Sequence, residues 1–181
     1  PFGVAIILGA GLRALASGGL ASASRVVGVA LVGIMLVASV TLSLALVADW
    51  HKQMQVSAAI ARSEVLRDAS TVVFIDSARS LNYDSRFHAF YEFNGWMITA
   101  FGDQKRLGVE LANLEGVLDG SLNGLDYAAS RYGFGEWEPG DENALVEIAV
   151  RKGATWWDLV FDRPAIDVTI TPLGDLRALG P

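Results

Sequence analysis

The densest group of residues able to do chemistry runs from Asp76 through Arg79, Asn82, Asp84, Arg86 and His88 to Glu92. It follows a short β-branched and aromatic stretch, Thr71 to Ile75, which has the composition of a buried strand. The carboxyl end of such a strand is where α/β folds commonly place ligands. If residues 84–92 are helical, Asp84, His88 and Glu92 share one face. A carboxylate beside an imidazole can then tune general acid–base chemistry or hold a metal. The plainer reading, and the one the spacing favours, is a solvated helix face with Asp84 as its cap.

Other motifs carry less. Asp119, Ser121, Asn123 and Gly124 resemble the first half of a calcium loop, but the twelfth position is Ser130, where such loops need a bidentate Glu, and Asp126 replaces an apolar residue. An ordinary Asn-Gly turn accounts for it better. No phosphate-binding glycine loop, nucleophile elbow or zinc-helix motif is present. With no cysteine, thiolate catalysis, disulfides and Cys-ligated zinc are excluded. Neither a metal nor a cofactor is expected. Trp137, Trp156 and Trp157 are candidates for a sugar- or protein-binding platform if exposed, and for core packing otherwise.

Charge divides the chain into two parts. All 20 Asp and Glu follow residue 48, whereas of the 14 Lys and Arg only Arg13 and Arg25 precede it, so the front is +2 and the remainder −8. A domain that acidic argues against nucleic-acid partners, because phosphate binding depends on clustered Lys and Arg. Residues 26–48 contain no charge and no proline. That run exceeds the roughly 20 residues needed to cross a hydrocarbon core about 30 Å thick. A transmembrane helix is therefore expected over 26–48, with Arg25 at one interface and Trp50, His51 and Lys52 at the other. Within it Gly28, Gly33, Ser39 and Ser43 offer small surfaces against which other transmembrane helices can pack.

Residues 1–25 read as an interfacial helix or the end of another span. A cleaved signal peptide is disfavoured, since a basic n-region is missing and the long apolar run exceeds a normal h-region. Arg25 abuts the span with no acid nearby, and an acidic domain avoids the anionic cytoplasmic leaflet. Residues 49–181 are thus expected outside the cytoplasm, in a periplasmic or extracellular setting.

The elements after the span predict a small mixed domain, α/β or α+β. Met54, Ala58, Ala61 and Val65 recur at helical spacing just past Trp50. Helical spacing continues over 86–101 and ends at Gly102. A short strand is expected over 107–111 and a short helix over 112–118, followed by turns over 119–135. Residues 144–150, 156–161 and 165–171 read as strands, connected most simply as an antiparallel meander.

Taken together, the last span into Trp50, the amphipathic helix, Thr71 to Asp76, Tyr91-Glu-Phe-Asn-Gly-Trp96, Phe101-Gly-Asp103 and Arg106-Leu-Gly108 resemble the C-terminal end of multi-spanning envelope proteins of the glycosyltransferase type. Such enzymes use lipid-linked sugars and carry their catalytic carboxylates in loops near the front of a many-helix bundle. That region has no counterpart in this sequence. The resemblance therefore implies a non-catalytic tail, with no catalytic residue carried over. The expectation is a membrane-anchored accessory or scaffold subunit rather than an enzyme, with membrane lipid and other transmembrane subunits or helices as its partners. The alternative is the tail of such a glycosyltransferase-like enzyme.

Overall fold

The computed structural model describes residues 9–11, 13, 14, 17, 21–88, 90–102, 105–119 and 142–179. The Asn-Gly turn, Trp137, nearly all of the acidic run 136–142 and most of residues 1–20 lie outside the described residues. The chain divides into two compact units, Pro1–Leu44 and Ala45–Pro181.

Helix α1, Ala21–Ala61, supplies residues to both units and contains 41 residues. At 1.5 Å per residue it is roughly 60 Å long. It is long and apolar enough to cross a membrane, and none of its most apolar window is buried. In a soluble protein a core helix of this composition would be covered. No break separates the apolar run from the helix expected after Trp50, because Asp49 to Lys52 are compatible with helix and no proline or glycine intervenes.

The second unit is a mixed α/β domain. Ser63 caps the one-turn helix α2, Glu64–Asp68, by accepting the Leu66 amide at 3.2 Å. Strand β1, Thr71–Asp76, follows. The next regular elements are α3, Phe90–Phe101, and β2, Leu107–Glu110. Then come α4, Leu114–Leu118, and β3, Asn143–Val150. Helix α5, Trp156–Val160, and β4, Ile166–Leu173, complete the fold.

Among the described residues the sheet has the order β2-β1-β3-β4. β1 is parallel to both β2 and β3, whereas β3 and β4 are antiparallel, with Val150 opposite Ile166. The back of the domain is therefore a single antiparallel pair, β3 and β4, joined through a short helix rather than a meander of three strands. The continuous apolar content of β1 suits a central parallel strand covered on both faces. Alternation along it sends Val72 and Phe74 to one face and Val73 to the other. The first face packs on Val56 and Ile60 of α1 and on Phe93, Trp96 and Met97 of α3. The second packs on Val109, Leu114 and Leu176.

Close approach of α3 to β2 requires Gly108. A Cβ there would stand 2.8 Å from Met97 Cε and 3.2 Å from Phe93 Cβ. The Asn94 side chain brackets the same residue, donating to the Gly108 carbonyl at 3.0 Å and accepting its amide at 2.8 Å. A buried amide thus satisfies backbone groups on β2, which among the described residues is an edge strand.

Three expectations need correction. Within the stretch 156–161 expected as a strand, Trp156–Val160 form a helix, since Thr155 and Asp158 make a reciprocal capping box ahead of the aromatic run. α3 begins at Phe90 rather than near Arg86. Asp84 and Ser85 have φ of 56° and 49°, and the Arg86 carbonyl accepts the Asn82 side-chain amide at 2.7 Å instead of a helical N–H. Finally, the buried stripe of α1 is Ala48, Lys52, Val56 and Ile60, while Met54, Ala58, Ala61 and Val65 are exposed.

Candidate functional site: a closed charge network

Period two along β1 puts Asp76 on the same face as Val72 and Phe74, aimed at α1. Four-residue spacing puts Lys52 in the stripe that meets it. The Lys52 side chain is fully buried, and its Nζ donates to Asp76 Oδ1 and Oδ2 at 3.0 and 2.9 Å, to the Ala78 carbonyl at 2.9 Å and to Asn82 Oδ1. Asp76 also accepts the Ala78 amide at 2.9 Å, which turns the chain sharply after β1. A fully buried ammonium with all its protons directed at acceptors meets the condition for tolerating a buried charge.

His88, also fully buried, places Nε2 3.3 Å from Asp76 Oδ2 and Nδ1 3.5 Å from Glu92 Oε2. Both approaches are too long or too bent for proper hydrogen bonds, and among the described residues neither ring nitrogen has a hydrogen-bond partner. The ring instead lies edge-on to Trp96, with centroids 4.8 Å apart. Farther out, Arg86 grips Glu92 bidentately at 2.6 and 2.8 Å and reaches Asp49 Oδ2 at 3.3 Å. Gln53 donates to the same Asp49 oxygen at 3.4 Å.

The electrostatics follow from these contacts. Burial opposes ionisation of Asp76, but the adjacent His88 ring and the Lys52 ammonium more than offset it and hold the carboxyl at about 2. The two Lys52 bonds are the well-formed ones in that set. Hydrogen bonding to Glu92 raises the Arg86 guanidinium above its ordinary value, so the guanidinium stays charged.

Of the residues singled out in the sequence, Asp76, Arg86, His88 and Glu92 come together, though not on one helical face. Asp84 is exposed in a turn, and Arg79 lies over the Phe87 ring, 3.9 Å from its centroid. Lys52 is not an interfacial residue, because its side chain is enclosed in the domain. His51 is half-buried, with Nδ1 2.6 Å from the Leu159 carbonyl of α5, while Trp50 is exposed. Among the packing candidates, Gly33, Ser39 and Ser43 lie on exposed helix surface, and Ser43 Oγ donates to the Ser39 carbonyl at 2.8 Å.

Sequence reasoning missed the two α1 members, Asp49 and Lys52. The signal was present in the spacing of Ala48, Lys52, Val56 and Ile60, but a lysine beside an apolar run reads first as a lipid-interface residue.

Chemically, the inner part of the network is closed. Lys52, Asp76 and His88 have side chains 0%, 2% and 0% exposed, whereas Arg86 is 36% exposed. Only the outer rim reaches solvent, so the arrangement fastens α1 to the end of β1 and the first turn of α3. Among the described residues no group of three or more His, Asp or Glu is placed to hold a metal. Comparison with protein-family models, curated proteins and solved structures finds no match.

Proposed function

We propose that the chain is a non-catalytic, membrane-anchored accessory or scaffold subunit of a larger membrane protein complex. On this reading residues 26–48 cross the bilayer, and the acidic domain beyond them is an extracytoplasmic, periplasmic or extracellular, interaction domain. The observation that carries it is the bare apolar surface of α1. With none of its most apolar window covered by the described residues, lipid tails and neighbouring helices are the environment that surface requires. The closed network around Lys52 supports a structural use of the ionisable cluster, since the Lys52, Asp76 and His88 side chains are almost wholly enclosed inside the domain.

Purification of the full chain from its native membrane in mild detergent tests this directly. Co-purifying membrane proteins that crosslink to single cysteines placed at Gly33 or Ser39 are expected. A stable monomer with no partner overturns the subunit reading. Labelling of a Val65→Cys variant in intact cells by a membrane-impermeant maleimide tests the location, since Val65 is exposed beyond the C-terminal end of α1, and protection from the reagent contradicts it.

A second reading is favoured by one feature. A cleft of about 410 Å³ opens at the carboxyl ends of the parallel strands β1 and β2, lined by Asp76, Ser77, Arg79 and Glu110 among others. That position suits the substrate-binding tail of an envelope glycosyltransferase-like enzyme acting on lipid-linked sugars. Arg79→Ala and Glu110→Ala variants that retain full cellular function dispose of it.

A further inference from the structure

Among the described residues, six aromatic side chains of the domain are exposed: Trp50, Tyr83, Phe87, Tyr91, Trp157 and Phe161. All but Tyr83 show more than half of their surface. Small domains bury such residues, because each carries a large apolar payload.

Their placement is not scattered. Phe87 follows Arg86, whose guanidinium reaches Asp49, and Tyr91 precedes Glu92, which holds the same guanidinium. Tyr83 belongs to the same turn, its carbonyl accepting the Arg86 amide at 3.3 Å. Trp157 and Phe161, stacked with centroids 6.2 Å apart, flank Leu159, whose carbonyl meets His51. Asp49 and His51 are about 3 Å apart along α1 and about 200° apart around it. The two aromatic groups are therefore tied to opposite sides of the helix at one level, with Trp50 between them. That level is where the apolar run ends, because Asp49 is the first charge after Arg25.

Cations are interleaved with these rings. Besides Arg79 over Phe87, Arg163 lies 5.6 Å from the Phe161 centroid. A ring carrying a guanidinium offers an apolar body to the acyl boundary and a positive charge to lipid phosphate, the chemistry of an interfacial belt.

From this we infer that the domain is seated on the bilayer surface by an aromatic and arginine collar around α1, with the lipid headgroup layer as its partner. The inference rests on the membrane-anchored reading of α1. It makes the anchor a two-part device: the span fixes depth, and the collar limits tilt and rotation of the domain above it.

The cysteine-free sequence allows a clean test. Single cysteines at Val37, Phe87, Phe161 and Val65 are introduced into the full chain, spin-labelled, and reconstituted into nanodiscs of phosphatidylcholine and phosphatidylglycerol. Collision with oxygen is then compared with collision with a water-soluble nickel complex. Val37 reports the span and the exposed Val65, in α2 beyond the C-terminal end of α1, the solvated control. The collar predicts oxygen-to-nickel ratios at Phe87 and Phe161 several-fold above that at Val65 and below that at Val37. A high ratio at Val37 with Phe87 and Phe161 equal to Val65 overturns the collar and leaves the anchor standing. A ratio at Val37 equal to Val65 overturns both.

Discussion

Replacing Lys52 by Met removes a charge that is held at four points and leaves its partner inside. In the intact domain the ammonium contacts both Asp76 oxygens, the Ala78 carbonyl and Asn82. In Lys52→Met the buried carboxylate retains the Ala78 amide at 2.9 Å, a long contact to the Asn82 amide at 3.4 Å and the His88 ring at 3.3 Å. Breaking a buried pair by deleting one partner costs about 3–5 kcal/mol, against a total domain stability of about 5–15 kcal/mol. Methionine fills nearly the same volume, so little of the loss comes from a cavity. With a urea slope of about 2 kcal/mol per M, the unfolding midpoint falls by roughly 2 M. The assay is urea unfolding of the full chain in mild detergent, followed by near-ultraviolet circular dichroism. Adding Asp76→Asn removes the stranded charge while keeping an acceptor for the Ala78 amide, and it should recover about 1–2 kcal/mol of the loss. The reasoning is refuted if Lys52→Met lies within about 1 kcal/mol of the parent, or if the double variant is no more stable than the single one.

Further outcomes follow from the same geometry. Because Asp76 is held at about 2 in the folded chain, below its ordinary 3.8, its ionisation stabilises the fold above pH 4. About 2 kcal/mol should be lost as pH falls from 4 towards 2, measurable as an acid-limb shift that Asp76→Asn abolishes. Gly108→Ala should cost about 1–3 kcal/mol through the contacts with Met97 and Phe93, and Met97→Ala should relieve part of it in a double-mutant cycle by thermal unfolding. Asn94→Leu strands the Gly108 amide and carbonyl and should cost about 2 kcal/mol or more by the same assay, whereas an exposed change such as Val65→Thr should stay within about 0.5 kcal/mol.

Much of this architecture is legible in the residues, and its gaps have physical causes. The β-branched run at Thr71 admits little besides a covered strand, and Gly102, with φ of 75°, ends α3 where the sequence indicates. The start of α3 was hidden, because Asn82 takes the Arg86 carbonyl out of helix through a side-chain bond that spacing does not reveal. Trp156 to Val160 carries strand-like side chains, yet two polar atoms of a capping box decide its conformation. The phase of α1 was misread through Lys52: period alone cannot show that a lysine faces inward until its anion is known to lie opposite. The same limit governed the cluster. Asp76, Arg86, His88 and Glu92 were visible as a local concentration of charge, but the residues that close it come from a helix more than twenty positions earlier.

Alkaline carbonate extraction of membranes carrying the full chain, followed by flotation on a density gradient, addresses the anchor itself. Residues 26–48 in the hydrocarbon core predict that the chain floats with the vesicles after the wash. Release into the aqueous fraction as a monodisperse protein, without detergent or lipid, contradicts the account.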